Sequence, residues 1–326
     1  MVTSRSPKPL LRVRVLLPLP KALRTRVLKA YFLLLFIFPK VIVVLKVIDK
    51  RYKQLRNTSP RLDFQIMCDI IISTNIIYLG IKMNFDVAFD FTSDTPNYWN
   101  NFWYDGVLGG GGADPDAVSK TLQTYHQFLW SKLLPNGEQM NLSMGKGYDY
   151  LSWKNFRFGS DSILASFRHS RYRKLLEEVS KTMPNYQSFI EDFIHRTYTI
   201  GGSIIFPKEN SINRARGVNP FIKDRWDLTL ECIRRYYKND SSPLYETLVK
   251  NKEFFDLFID FKGYVDFFYL QDCVSTDYQS VIFWIGDGDL SKNPMPKTVD
   301  EYLLWIEKQP DFVSKRNKRI ELEIQL

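Results

Sequence analysis

The chain has 326 residues, 44% hydrophobic and 15% aromatic, with 45 Lys and Arg against 36 Asp and Glu for a net charge of +9. The excess is not spread evenly: residues 1–82 carry 16 basic and 3 acidic residues, whereas residues 83–326 carry 29 and 33, a net of −4. The larger piece therefore lacks the basic excess of a nucleic-acid-binding domain. Three scattered cysteines, Cys68, Cys232 and Cys273, exclude a disulfide framework or a cysteine zinc cage.

Residues 1–82 read as a basic, apolar N-terminal extension. Its apolar stretch, within residues 30–48, is split by Pro39-Lys40 and closed by Lys46. A membrane span needs roughly 20 apolar residues, and a central Lys costs about 2.5–3.5 kcal/mol, so this is a poor span. A secretory signal fits no better, because the basic region is overlong and no small-x-small site follows the apolar run. The expectation is that the native protein starts at Met83, with 83–326 as one domain large enough to be stable without disulfides or a structural metal. If residues 1–82 are translated, a membrane-tethered protein is the alternative.

In chain order, Phe85–Phe91 alternates apolar and polar residues and predicts a strand, ended by the turn residues Thr92–Pro96. Asp86 and Asp90 would share a face of that strand about 13 Å apart, too far to act as a pair. The aromatic segment Tyr98–Tyr104 and the glycine run Gly109–Gly112 read as a loop, and no Gly-Lys-Ser/Thr follows to make it a phosphate loop. Asp114-Pro115 supplies an N-cap and an N1 proline for a helix of about five turns with Val118, Leu122, Tyr125, Leu129 and Leu133 on one stripe, stopped by Pro135-Asn136-Gly137. Short strands are predicted near Tyr148–Trp153 and Ser162–Phe167. A helix with Tyr172, Leu175, Leu176, Val179 and Met183 on one stripe follows, and Pro184 opens another.

Gly201-Gly202 leads into a buried strand, Ser203–Phe206, and a polar loop runs from Pro207 to Pro220. From about Lys223 a helix places Trp226, Leu230, Ile233 and Tyr237 on one face and Asp224, Asp227, Glu231 and Arg235 on the other. Pro243 begins a further helix, Tyr264–Leu270 and Val281–Ile285 read as strands, and Thr298–Glu301 is a capping box opening a final helix. With no internal repeat and no regular strand–helix alternation, the fold class is α+β: a helix-rich single globular domain with a small mixed or antiparallel sheet.

From Met83 the sequence resembles a family of uncharacterised bacterial proteins, a domain of unknown function. The resemblance rests on FDFTSDTPNYW, HQFLWSKLLPNGE, RFGSDSI, TIGGSIIFPK, SINRARGVNPFIKDRWDLTLECIRRYY and DFKGYVDFFYLQDCV, which span most of residues 83–280. It implies a cytosolic bacterial protein and carries no activity or cofactor with it.

The strongest chemical candidate in the residues themselves is His195–Arg235. Lys208, Arg214, Arg216 and Arg225 surround a loop-to-helix junction, where guanidinium forks and helix N–H groups would bind the phosphate or carboxylate of a small anionic ligand. Asp227, Glu231 and His195 are the candidate catalytic groups beside it. The competing account is that Asp227, Glu231 and Arg235 form a solvated or intrahelical ion-pair face and that Arg214 and Arg216 bond loop carbonyls. Asp90, Asp94, Asp287 and Asp289 read as turn formers rather than metal ligands, and no pair of histidines has metal-ligand spacing. The basic stretch Arg168–Lys174 precedes Glu177 and Glu178 at i, i+4 spacing and reads as a solvated face. Two functional classes remain open in the sequence: a small-anion binder, with or without catalysis, and a non-catalytic protein-interaction module.

Overall fold

The computed structural model describes residues 85–101, 113–146, 149–164 and 173–325. The N-terminal extension, the glycine run, His169 and most of the Arg168–Lys174 stretch lie outside them. Residues Phe85–Leu326 cluster as one unit by backbone contact. Among the described residues are ten α-helices and one four-stranded antiparallel sheet, which makes the domain α+β.

The sheet is a meander of β1 (Ser143–Lys146), β2 (Asp149–Trp153), β3 (Phe156–Ser162) and β4 (Ser203–Pro207), paired in sequence order. The sequence places the β4 strand correctly, and all five of its residues are buried. The strand predicted at Ser162–Phe167 ends at Ser162, because its ladder is the Phe158–Ser162 pairing with β4, displaced toward the N-terminus.

Gly201 and Gly202 precede β4 for a packing reason. A Cβ on Gly202 would lie 2.0 Å from the Thr197 carbonyl, and one on Gly201 would lie 2.6 Å from both Asn317 Oδ1 and the Val313 carbonyl. The last helix, α10 (Val299–Gln325), can therefore lie directly on the backbone here. Asn317 accepts from Gly201 N at 2.7 Å, and buried Arg316 donates to the carbonyls of Gly201, Ser203 and Phe268 at 2.9, 2.7 and 3.0 Å.

Several sequence expectations are corrected. Phe85–Phe91 is not a strand: Asp86 accepts from Ala88 N, a turn forms at Val87-Ala88, and Phe85, Phe89 and Phe91 gather around Tyr125. Local turn chemistry thus overrides the alternation. The five-turn helix is two, α1 (Pro115–Val118) and α2 (Lys120–Trp130). Ser119 breaks the run by capping the second through Leu122 N, and Leu133 stands 63% exposed beyond it.

Helices α3 (Arg173–Thr182) and α4 (Tyr186–Thr197) follow as expected. The polar loop Pro207–Pro220 instead contains α5 (Ile212–Val218), capped by Ser211, so Arg214 and Arg216 are helical. In α6 (Trp226–Tyr237) every residue from Trp226 to Ile233 is buried, so Asp227 and Glu231 do not line a solvated face. After α7 (Tyr245–Lys250) and α8 (Lys252–Asp256), the predicted strand Tyr264–Leu270 is a helix, α9 (Phe261–Phe267), with Asp260 as N-cap. Val281–Ile285 forms only an isolated bridge, Val281 to Val274. In both segments aromatic and β-branched composition suggests strand, while burial against Phe255 and Phe258 favours helix for α9. Thr298 caps α10 through Glu301 N, and the helix passes Pro310 without ending.

No described helix is long and apolar enough to cross a membrane.

Candidate functional site

The cations and acids predicted around His195–Arg235 are distributed over separate pairings. Arg216 is fully buried. Its guanidinium bonds Thr229 Oγ1 at 2.9 Å, Asp161, and the Asp224 carbonyl at 3.2 Å, with Asp224 Oδ1 at 3.7 Å. Arg225 grips Asp227 bidentately at 3.1 and 2.5 Å and donates to the carbonyls of Pro294 and Ile285 at 2.6 and 2.8 Å. Asp227 in turn accepts from Trp284 N at 2.9 Å. The pair therefore fastens the irregular segment 281–294 to the start of α6. Glu231 is held by Arg234 and Arg235 on its own helix at 2.7–2.8 Å, and these cations keep it ionised below the ordinary glutamate range despite burial. Arg214 is exposed, and Lys208 lies across Gly159, where a Cβ would meet its side chain.

His195, at the C-terminal end of α4, is brought to a residue 105 positions away. Its Nδ1 lies 2.5 Å from Asp90 Oδ2, so the ring donates there, and Thr92 fixes the same carboxylate through its backbone N–H and hydroxyl. The imidazole is 54% exposed beside the Trp99 ring, 5.4 Å between centroids. Sequence reading selected both residues separately, for different reasons.

His126 illustrates how geometry decides a role. Trp130 Nε1 donates to His126 Nδ1 at 2.8 Å, so the ring proton sits on Nε2 and is donated to Ser160 Oγ at 3.0 Å. Ser160 then donates to Asp116. No ring lone pair faces the Ser160 hydroxyl, which excludes this tautomer as a base for a serine nucleophile. Burial, aided by Arg316, pulls the imidazole down to about 3, so it is neutral. Burial pushes Asp116 well above the ordinary range, with Asp114 and Asp161 adding to the effect. Burial also raises Asp161 to about 7 against the pull of Arg216. Among the described residues no group of three or more His, Cys, Asp or Glu could hold a metal ion.

A separate site lies where α2 ends. Trp130 closes the helix, and Lys132 enters a tight hairpin in which its carbonyl accepts from Met140 N at 3.0 Å. The Lys132 Nζ lies 3.7 Å from the centre of the Tyr269 ring, 4.7 Å from Phe267 and 5.4 Å from Trp130, a three-walled aromatic cage. Tyr269 follows α9 in the left-handed conformation, φ +55°, where Gly or Asn is the usual helix terminator. A tyrosine there costs on the order of 1 kcal/mol of backbone strain and turns its ring onto the lysine.

Lys132, Phe267 and Tyr269 line an open cavity of about 490 Å³, completed by Asp266, Gln271, Arg319, Leu322 and Glu323 among others. Most charged groups on its wall are already engaged. Asp266 accepts from Lys262, from Gln271 Nε2 at 2.9 Å and from the Tyr278 hydroxyl at 2.8 Å, and Arg319 forks onto Asp272 at 2.5 and 3.0 Å. Lys132 is different: among the described residues its Nζ has no carboxylate within ion-pair distance. Burial pulls it down to about 7, with Arg316 adding to the fall and Glu323 and Asp266 only partly opposing it. Tyr269 Oη and Gln271 Oε1, both on residues lining this cavity, are buried without a hydrogen-bond partner.

Sequence reading missed this site because its residues are 130 to 323 in the chain and match no motif. One signal was present: Lys132 is the single cation in the apolar run FLWSKLLP, and its cage comes from the aromatic run FFYL.

A model of a family of unknown function (DUF6994) matches residues 85–320, which contain the cavity up to Arg319. No curated protein and no solved structure matches the chain.

Proposed function

We propose that this chain, which belongs to the DUF6994 family of unknown function, binds a small anionic ligand in the cavity at Lys132. The observation that carries the reading is the half-buried ammonium of Lys132, walled by three aromatic rings and lacking a carboxylate partner among the described residues. Removing an ammonium from water is costly unless it is paired. A ligand carboxylate or phosphate would supply the missing charge, and the orphaned Tyr269 hydroxyl and Gln271 amide oxygen would supply a donor and an acceptor to orient it. The arginines first considered, Arg216 and Arg225, have their donors committed within the fold, which supports moving the ligand from the Lys208–Arg235 region to this cavity.

A reducing, cytoplasmic setting is part of the proposal. It is supported by Cys232 and Cys273, buried and unpaired, the first pushed up to about 12 by burial. The alternative, an interaction module, would seat a partner's acidic side chain on the same lysine between exposed Leu133 and Leu322.

Thermal unfolding with inorganic phosphate, mono- and dicarboxylates and 2-oxo acids tests the reading. An anion at 100 times its Kd stabilises by about 2.7 kcal/mol. Stabilisation is expected in wild type and in Arg214→Ala, and its loss in Lys132→Met. Stabilisation that survives Lys132→Met but disappears in Arg214→Ala would return the site to α5. Failure of every anion, together with a co-purifying protein, would favour the interaction module.

A further inference from the structure

We infer that Lys132 forms an imine with the carbonyl of a small 2-oxo or aldehyde acid bound in this cavity. The inference rests on the ligand reading above and deepens it by naming the substrate class.

Two features of the site's geometry support it. The nitrogen stands against rings that wall a cavity of about 490 Å³, so a ligand there meets the amine directly. Among the described residues the Lys132 nitrogen meets ring faces and no hydrogen-bond acceptor, so no hydrogen bond must break before it attacks. Burial also holds Lys132 near 7 rather than 10.5, so a substantial share of the amine is unprotonated at neutral pH. Lysines elsewhere are unlike it: Lys252, Lys262, Lys292 and Lys315 each pair with an aspartate and are pushed above the ordinary value.

The chemistry is balanced without any further reagent. The amine lone pair attacks the carbonyl carbon, and the C–O π electrons move to oxygen. A proton passes from nitrogen to that oxygen, giving a carbinolamine. The nitrogen lone pair then expels hydroxide, which leaves as water with the second N–H proton, and a C=N bond remains. The Tyr269 hydroxyl, orphaned and on the ring 3.7 Å from the nitrogen, would relay that proton to the leaving oxygen. The ligand's acid group would take the Arg319 N–H groups that Asp272 leaves uncommitted.

Reductive trapping tests the inference. The full chain is incubated at pH 7 with glyoxylate or pyruvate and cyanoborohydride, which reduces an imine to a stable secondary amine, and adducts are mapped by peptide mass spectrometry. One dominant adduct on Lys132 is expected, and none at that position in Lys132→Arg, which keeps the positive charge but cannot form the imine. Tyr269→Phe is expected to slow trapping several-fold while leaving the fold intact. Adducts scattered over exposed lysines with Lys132 unmodified would overturn the inference. If the acid stabilises wild type but not Lys132→Met and no adduct forms, the imine fails and the ligand reading stands. If neither stabilisation nor adduct is seen, both fail.

Discussion

The Nζ of Lys132 lies 3.7 Å from the centre of the Tyr269 ring, and the two residues meet because each follows the end of a helix. Lys132 is two residues past α2, and Tyr269 is two residues past α9, in a left-handed conformation that tyrosine rarely adopts. Neither position is dictated by an amphipathic stripe. The contact carries three rings' worth of cation–π attraction, each about 0.5–2 kcal/mol, against the desolvation of the ammonium.

The pH dependence of stability follows from that balance. Folded Lys132 sits at about 7 and the unfolded side chain at its ordinary 10.5. Between those values the unfolded chain binds a proton that the folded chain does not, so this group makes stability rise with pH through that window. Urea unfolding at pH 7, 8 and 9 is expected to show the rise in wild type and its loss in Lys132→Met. Lys132→Met should also be the more stable protein at pH 7.

Tyr269→Phe separates a ligand role from a structural one. A buried hydroxyl without a partner costs about 1–3 kcal/mol, so its removal should leave stability equal or higher. Anion affinity should nevertheless fall, by up to tenfold for one lost neutral hydrogen bond. A purely structural tyrosine would show the first effect without the second, as read by denaturant melts beside calorimetric titration.

Arg225 and Asp227 behave in the opposite way. They are 3% and 0% exposed, and Asp227→Ala leaves a buried guanidinium unpaired and releases Trp284 N. A loss of about 3–5 kcal/mol is expected. Arg214→Ala, on an exposed side chain of α5, should change stability by no more than about 0.5 kcal/mol. Melting temperatures of the two variants check both statements.

Acid sensitivity should trace partly to His126. Its folded value of about 3 lies below the ordinary 6.5, so the unfolded chain takes up a proton first as pH falls, and stability drops between about 6.5 and 3. In His126→Gln the overall stability should be lower, since Trp130 and Ser160 lose their partner, but that part of the acid slope should vanish. Denaturant midpoints at pH 7, 6 and 5 would show it.

Where the sequence is legible, one local signal dominates. Asp114-Pro115 caps α1, Ser203–Phe206 is a wholly apolar strand behind two glycines, and Thr298 caps α10. Where it misleads, two signals compete. Phe85–Phe91 alternates like a strand but is turned by Asp86, and Tyr264–Leu270 has strand composition but lies in an aromatic core that accepts a helix. Charge spacing on α6 implies a wet face, yet Asp227 and Glu231 are buried because their partners, Arg225 and Arg234, are buried or half-buried with them. His195 stands out in the sequence, but its partner Asp90 lies too far along the chain for spacing to reveal. The cavity is the extreme case. Its lysine and two of its three cage rings, Phe267 and Tyr269, are more than 130 residues apart, and only the fold joins them.

The most direct test is a nuclear magnetic resonance titration of the lysine side chains, labelled at Cε, with the Lys132 signal assigned by its absence in Lys132→Met. Without ligand, the Lys132 resonance should titrate near 7, apart from the remaining lysines. Added small anions at pH 7 should shift it saturably and raise its titration midpoint, because a bound anion favours the charged amine. A Lys132 resonance that titrates near 10.5 and ignores every anion would contradict the account.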